Sequence, residues 1–126
     1  MRLKTVTFLV PDYATGIDFF VGKLGFELIE DAPLGEGKRW VVVSPKGGEA
    51  RLLLAEGRGE RQGAAIGNQT GDRVAFFLET DDFDRDHAAF VERGVTFMEA
   101  PRREAYGTVA VFRDDFGNLW DLIQPA

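Results

Sequence analysis

The sequence has 126 residues, with no cysteine and a single histidine, His87. Without cysteine, the chain has no disulfide framework, no thiolate nucleophile and no thiolate metal site. His87 shares a helical face with Phe83 and Phe90 in the segment DRDHAAFVERG, so we interpret it as a residue at the edge of a packed helix. Because His87 is interpreted as a packing residue and no second histidine is present, no histidine remains for a Ser-His-Asp arrangement.

Long apolar runs and large basic clusters are also absent. The apolar run in MRLKTVTFLVPD is too short for a signal-peptide core, and no stretch approaches the length of a membrane span. We therefore expect a cytoplasmic protein with no membrane partner. The net charge of -6 and the lack of a basic cluster beyond GEGKR or PRRE argue against a nucleic-acid partner. A neutral or cationic small ligand fits this charge better.

Apolar periodicity predicts the same order of elements in each half of the chain: strand, helix and three strands. In the first half the predicted strands are 5–10, 27–30, 39–44 and 51–55, and the helix ends at Gly25. Ile17, Phe20, Val21 and Leu24 form its predicted apolar face. In the second half the predicted strands are 73–78, 96–99, 108–112 and 119–124, and the helix ends at Gly94.

The two halves repeat at a nearly constant offset. VTFLV aligns with VAFFL at a shift of 68 residues, and SPKGGEARLLL aligns with RDDFGNLWDLI at a shift of 69. Such self-similarity indicates a repeat architecture. We therefore predict an α+β fold of two tandem βαβββ modules, residues 1–57 and 72–126, joined by a polar, glycine-rich linker at 58–71.

Two strings in this repeat, VPDYATGIDFFVGKLGFEL and YGTVAVFRDDFGNLWDLIQP, resemble the vicinal oxygen chelate superfamily. This superfamily contains glyoxalase I, extradiol dioxygenases, and fosfomycin- and bleomycin-resistance proteins. The resemblance implies a glyoxalase-like half-barrel from each module, with a cleft on the concave side of the strands. In metal-dependent members the ligands lie on the first and last strands of each module, at positions that correspond here to Thr5, Leu52, Arg73 and Asp121.

These four residues are a poor donor set for a divalent metal. The family norm is His or Gln on the first strands and Glu or His on the last, and only Asp121 retains that chemistry. Leu52 has no ligating atom, and Arg73 is a permanent cation that repels a metal. The acidic run DDFDRD is interpreted as a cap of the second helix rather than as a metal site. We therefore expect no metal and no cofactor.

Strand alternation gives the expected lining of the cleft. It places Asp121 on one face with Ile123, and Arg73 on one face with Ala75, and we expect Arg73 and Asp121 to pair on the cleft floor rather than on the surface. Trp40 and Tyr106 lie near the rim, where they either stack on a planar ligand or pack between the modules. The predicted ligand-binding residues are Thr5, Thr7, Trp40, Leu52, Leu54, Arg73, Ala75, Phe77, Tyr106, Asp121 and Ile123.

Two functions are compatible with this pattern. The first is binding of a small organic molecule in an apolar cleft without a catalytic metal, in a homodimeric protein. The alternative is a metal-dependent lyase, isomerase or dioxygenase of the same superfamily with an atypical ligand set. No catalytic residue is identified, because Glu56, Glu79 and Glu104 are each able to serve as a general base and none is distinguished by its sequence context.

Overall fold

A computed structural model describes residues 1–126, which divide into two units, Met1–Ile66 and Gly67–Ala126. Both units have the predicted mixed α+β architecture, with one sheet of four strands and one of five. The predicted linker contains a short helix. The boundary between the units also lies within the linker, after Ile66. None of the helices has the length and apolar character that a membrane crossing requires.

The first unit has the predicted βαβββ order, followed by the short helix. Its elements are β1 (Thr5–Val10), α1 (Tyr13–Ile17), β2 (Glu27–Gly35), β3 (Lys38–Ser44), β4 (Arg51–Glu56) and α2 (Gly59–Ala65). The strands lie in the order β1-β4-β3-β2. Strand β1 is parallel to β4, whereas the β4–β3 and β3–β2 pairs are antiparallel.

Helix α1 begins with Asp12 as its N-cap and is followed directly by a wider π-helix. The Asp12 carboxylate accepts a hydrogen bond from the Thr15 amide at 2.7 Å, which satisfies one of the free N–H groups of the first turn. After Ile17 the chain continues as a π-helix, Asp18–Lys23. The predicted apolar face was therefore wrong at Val21, which is 36% exposed, while its neighbours Phe19 and Phe20 are buried. The wider π turn changes which residues face the sheet.

The second unit has the order β5 (Val74–Glu79), α3 (Phe83–Glu92), β6 (Thr96–Phe97), β7 (Arg102–Glu104), β8 (Gly107–Arg113) and β9 (Leu119–Pro125). Its sheet has the order β5-β9-β8-β6, and β7 also pairs with β8. Strand β5 is parallel to β9. The parallel pair of first and last strands is therefore common to both units.

The predicted strand 96–99 was too long, because this edge of the second sheet is broken into β6 and β7. Pro101, which lacks an N–H donor, lies between the two short strands. The Glu99 carboxylate replaces a backbone partner there, accepting a hydrogen bond from the Val111 amide at 2.9 Å. The Glu99 side chain thus provides a hydrogen-bond acceptor for the Val111 amide of β8, at the point where backbone pairing along this edge is interrupted.

Helix α3 is capped by the acidic run that precedes it, as its sequence predicts. The Asp82 carboxylate accepts a hydrogen bond from the Arg85 amide at 3.1 Å. The Arg85 guanidinium in turn forms ion pairs with Asp81 and Asp86, each at 3.1 Å. On the packed side of the helix, the His87 ring lies 4.3 Å from the Phe97 ring, consistent with its interpretation as an aromatic packing residue.

The turn between β8 and β9 is organised by one buried carboxylate, that of Asp114, which is 3% exposed. It accepts five hydrogen bonds, from the amides of Phe116, Gly117 and Asn118 and from the side chains of Asn118 and Trp120, all at 2.8–3.0 Å. A buried charge requires such compensation. The turn also packs against Gly67, where an added Cβ would lie 1.7 Å from the Phe116 carbonyl oxygen.

Candidate functional site

Each sheet has a face that packs on its helix and an opposite face, which we call the open face. In the second unit, aromatic contacts define the helix side: the Phe112 ring lies 5.6 Å from both the Phe90 ring of α3 and the Trp120 ring of β9. Strand alternation then assigns neighbours of these residues to the open face. The open face of the second sheet comprises Phe77, Val111, Leu119, Asp121 and Ile123, while Val109, on the same side by alternation, is fully buried.

Asp121 is the polar residue at the centre of this open face. In the register of the sheet it lies between Phe77 of β5 and Val111 of β8. Its Oδ1 atom is buried and has no hydrogen-bond partner. Phe77, by contrast, leaves 70% of its surface exposed. An incompletely solvated carboxylate oxygen thus lies beside an exposed aromatic ring, which is the combination that a small-molecule site offers.

The surroundings of Asp121 raise the pKa of its carboxyl group above the ordinary value of 3.8. Burial is the largest cause, because it disfavours the charged form. The positive charge of Arg102 acts in the opposite direction, and the negative charge of Glu99 adds to the increase. Asp121 is therefore a carboxylate whose charge the folded protein does not fully compensate.

Arg102 is already engaged by other acidic residues. Its Nε donates to Glu99 at 2.8 Å and its Nη1 donates to Glu104 at 3.0 Å. These bonds raise the pKa of Arg102 and lower that of Glu99. The predicted pairing with Arg73 therefore named the wrong guanidinium, because the arginine whose charge acts on Asp121 is Arg102.

The predicted ion pair between Arg73 and Asp121 was wrong. Arg73 is exposed, precedes β5 and forms no ion pair with Asp121, and the β5 residue opposite Asp121 is Phe77. The physical reason is an irregularity at Ala75: Val74 pairs with Leu119, but Phe76 pairs with Trp120. This β-bulge breaks the alternation from which the shared face was inferred.

The open face of the first sheet also differs from the prediction. Leu54 was expected on the open face, but it is fully buried on the helix side, in register with Phe8. Phe8 contacts Phe20 of the π-helix at a ring distance of 4.9 Å. By alternation Leu52 lies on the same side as Leu54, so its assignment was wrong as well.

Leu53 instead shares the open face of the first sheet with Thr5 and Thr7. It lies in register with Thr7 of β1 and with Val42 of β3. Two positions from Val42, Trp40 is on the same side and leaves 38% of its surface exposed. Sequence reasoning missed Leu53, Glu99 and Arg102. Only Arg102 had a visible signal, since in EAPRRE it lies three residues after one acid and two before another.

The residues at the family's metal positions do not fit a divalent metal. Leu52 faces the helix, Arg73 is an exposed cation, and Asp121 is the one carboxylate among them. Nowhere in the chain do three or more His, Asp or Glu side chains come together in a group able to hold a metal ion. A catalytic zinc, iron or manganese centre ordinarily requires about three such protein ligands.

A recess in the second unit offers a weaker alternative to the open face. Its volume is about 450 Å³, and Glu79, Thr80, Asp81, Gln124 and Pro125 line it. The Thr80 hydroxyl already donates to Asp86, and the Gln124 side chain accepts from the Phe83 amide at 2.7 Å. The Thr80 hydroxyl and the side-chain carbonyl oxygen of Gln124 thus stabilise the start of α3, so these two groups are already engaged within the protein.

The two βαβββ units define a glyoxalase-like protein. The sequence model of the Glyoxalase/Bleomycin resistance protein/Dioxygenase superfamily matches residues 2–122, and the chain belongs to this superfamily. The expectation drawn from the two sequence strings is thereby confirmed.

Individual relatives cover nearly the whole chain. A protein of Shewanella frigidimarina is 51% identical over 121 residues, which is 94% of this chain and 90% of that protein. The crystal structure of UcmS2 has 32% identity and a TM-score of 0.84, with 98% of this chain and 97% of that chain covered. TnmS3, an antibiotic binding protein from Streptomyces sp. CB03234, has 32% identity and a TM-score of 0.78, with 100% and 97% covered.

Replacing Asp121 by asparagine is expected to stabilise the fold by about 1 kcal/mol near pH 7.5, because it removes a charge that burial disfavours. Between the ordinary pKa and the raised pKa of Asp121, the folded state binds more protons than the unfolded state. The free energy of unfolding therefore falls as the pH rises through this interval. The gain in Asp121→Asn should shrink below about pH 4, where both states are protonated.

Urea denaturation of both proteins at a series of pH values measures this difference. Asp72→Asn is the matched control, since it removes the same charge from an exposed position in the same unit. A loss of stability in Asp121→Asn at neutral pH would show that the carboxylate is compensated in the folded state.

Proposed function

We propose that this protein binds a small organic molecule on the open face of the second sheet and that binding needs no metal ion. The observation that carries the proposal is the position of the exposed Phe77 ring beside the half-buried carboxylate of Asp121, whose buried Oδ1 atom has no hydrogen-bond partner. An aromatic surface supplies apolar contact area, and a single polar atom fixes orientation. The half-buried side chains of Leu119 and Ile123 extend the apolar surface on either side of Asp121.

The relatives support this class of function. TnmS3 is an antibiotic binding protein, and the match with it covers all of this chain and 97% of TnmS3. Tyr106 is a further proposed ligand contact in the second unit, because 56% of its surface is exposed. Thr5, Thr7 and Trp40, on the open face of the first sheet, are proposed to form a ligand-binding surface of the first unit. Ala75 is proposed only as the bulge residue that sets the position of Phe77.

Phe77 gives the direct test. We expect planar aromatic compounds to raise the melting temperature of the wild-type protein, by roughly 10 °C at 100 times the dissociation constant. Phe77→Ala should weaken the best such compound about 3- to 10-fold, because it removes the stacking surface. Val91→Ala is the matched control, since Val91 is an exposed apolar residue on α3, with 53% of its surface accessible. Isothermal titration calorimetry measures both affinities.

Two results would contradict the proposal. The first is a wild-type protein whose melting temperature no planar aromatic compound raises, and the second is equal affinity in Phe77→Ala and wild type. The metal-free part of the proposal is tested in the same titration by adding EDTA, which should leave the affinity unchanged. Loss of binding in EDTA, restored by zinc, iron or manganese, would favour the metal-dependent alternative.

We also propose that the protein is a homodimer. Strand β2 forms one edge of the first sheet and is nine residues long, and a long edge strand exposes unpaired backbone groups that association covers. Sedimentation equilibrium at micromolar concentration should give a mass about twice the 14.0 kDa of the chain. A species of 14.0 kDa under these conditions would contradict the proposal.

A further inference from the structure

The charges around Asp121 restrict the chemical class of ligand that the open face of the second sheet accepts. Asp121 interacts electrostatically with Arg102 and Glu99, and Arg102 is hydrogen-bonded to both Glu99 and Glu104. Three carboxylates thus surround one guanidinium, and the cluster is negative when Asp121 is ionised. The whole chain also carries a net charge of -6. An anionic ligand would meet repulsion from both sources.

The hydrogen-bonding state of Asp121 also favours a ligand that donates a hydrogen bond. Asp121 offers a buried acceptor, its Oδ1 atom, that no protein group satisfies. The Nε and Nη1 groups of Arg102 are already used by Glu99 and Glu104. A purely apolar ligand would cover Asp121 and leave its charge further from water, which costs free energy. A ligand that donates a hydrogen bond compensates the carboxylate instead, most strongly when the donor is positively charged.

On the basis of the proposed function, we infer that the ligand is a planar organic cation. Its N–H group donates to the carboxylate of Asp121, and its ring lies against Phe77. Phe77 and Asp121 are neighbours in the register of β5 and β9, so one ligand of modest size reaches both. The negative charge of a carboxylate is shared by its two oxygens, so a donor that reaches Asp121 from the open side compensates the charge although Oδ1 is buried.

Three probes with one ring system separate charge from stacking. 9-Aminoacridine is a planar cation with an exocyclic N–H donor, acridine is its neutral parent near pH 7.5, and acridine-9-carboxylate is an anion. Each is titrated into the full-length protein by fluorescence at about 0.15 M salt, where long-range attraction is largely screened. We expect wild type to bind 9-aminoacridine about tenfold or more tightly than acridine, and acridine-9-carboxylate most weakly.

Asp121→Asn and Asp72→Asn test whether the preference for 9-aminoacridine depends on Asp121, and Phe77→Ala tests the contact with the ring. Asp121→Asn should bind 9-aminoacridine and acridine with similar affinity, because the charge-assisted hydrogen bond is lost while the ring contact stays. Asp72→Asn should keep the wild-type preference, since it removes the same charge from an exposed position away from the site. Phe77→Ala should weaken binding of both 9-aminoacridine and acridine. Circular dichroism of each variant verifies that it is folded.

The outcomes separate this inference from the function on which it rests. If wild type binds all three probes equally, or if Asp121→Asn retains the preference for the amine, the cation inference is overturned although binding at Phe77 stands. An equal loss of preference in Asp72→Asn would also overturn it, because general charge would then explain the selectivity. If none of the three probes binds to wild type and the wider aromatic panel raises no melting temperature, the proposed function itself fails.

Discussion

Replacing Asp114 by alanine is expected to lower the free energy of unfolding by about 3–5 kcal/mol, the largest loss from any single side chain considered above. The carboxylate accepts hydrogen bonds from three backbone amides, those of Phe116, Gly117 and Asn118. It also accepts from the indole Nε1 of Trp120 at 2.9 Å. Removing one acceptor therefore leaves several buried donors unsatisfied at once. Guanidinium chloride denaturation measures the loss.

Two further variants separate the effect of the hydrogen bonds to the Asp114 carboxylate from the effect of its charge. Asp114→Asn keeps the size of the side chain but turns one acceptor into a donor facing other donors, and it should lose about 2 kcal/mol or more. Asp72→Asn removes the same charge from the surface and should change the stability by less than about 0.5 kcal/mol. Comparable small losses at Asp114 and Asp72 would mean that the turn does not depend on this network.

Gly67→Ala is expected to destabilise the protein by about 3 kcal/mol, for two reasons that a control separates. The φ angle of Gly67 is 70°, a left-handed conformation that costs an alanine about 1 kcal/mol. The added Cβ would also lie 1.7 Å from the backbone oxygen of Phe116, so the main chain must move. The close approach therefore accounts for most of the expected loss.

Gly71→Ala supplies the control, because Gly71 has a φ of 67° but nothing within 4 Å of an added Cβ. It should lose only the conformational cost of about 1 kcal/mol. Denaturant midpoints of the two variants, compared at equal slope, give the cost of the clash by difference. Equal losses in the two variants would show that the segment at Gly67 shifts freely away from Phe116.

Most of the fold was predictable, because its strongest signals are local and occur twice. Strand β1 matches the predicted range 5–10, and both predicted helix stops, Gly25 and Gly94, adopt positive φ angles of 74° and 88°. The repeat places the same elements in each half, so an ambiguous segment in one half is supported by a clear one in the other.

The face of strand β4 was not predictable from its sequence. Its segment RLLLAE is a continuous apolar run after the first residue, and such a run shows no alternation from which an open face can be chosen. The repeat offset of 69 matched Leu52 to Asp121, whereas the burial of Leu52 and Leu54 corresponds to that of Trp120 and Leu122. A shift of one residue exchanges the two faces of a strand.

The candidate site was partly predictable for a related reason. Asp121 stood out because a carboxylate within LWDLI is unusual, whatever its partner. Its surroundings depend on tertiary features that no local pattern encodes. The bulge at Ala75 brings Phe77 opposite Asp121, and the break between β6 and β7 places Arg102 near it.

Corresponding positions in the two sheets hold different types of residue, an apolar one in the first unit and a carboxylate in the second. Leu53 lies in register with Thr7 in the first unit, whereas Asp121 lies in register with Phe77 in the second. The unfavourable carboxylate is therefore confined to one copy of a duplicated architecture. A duplicated architecture permits this difference, because the residue at a given place in one unit can change while the corresponding residue of the other unit stays apolar.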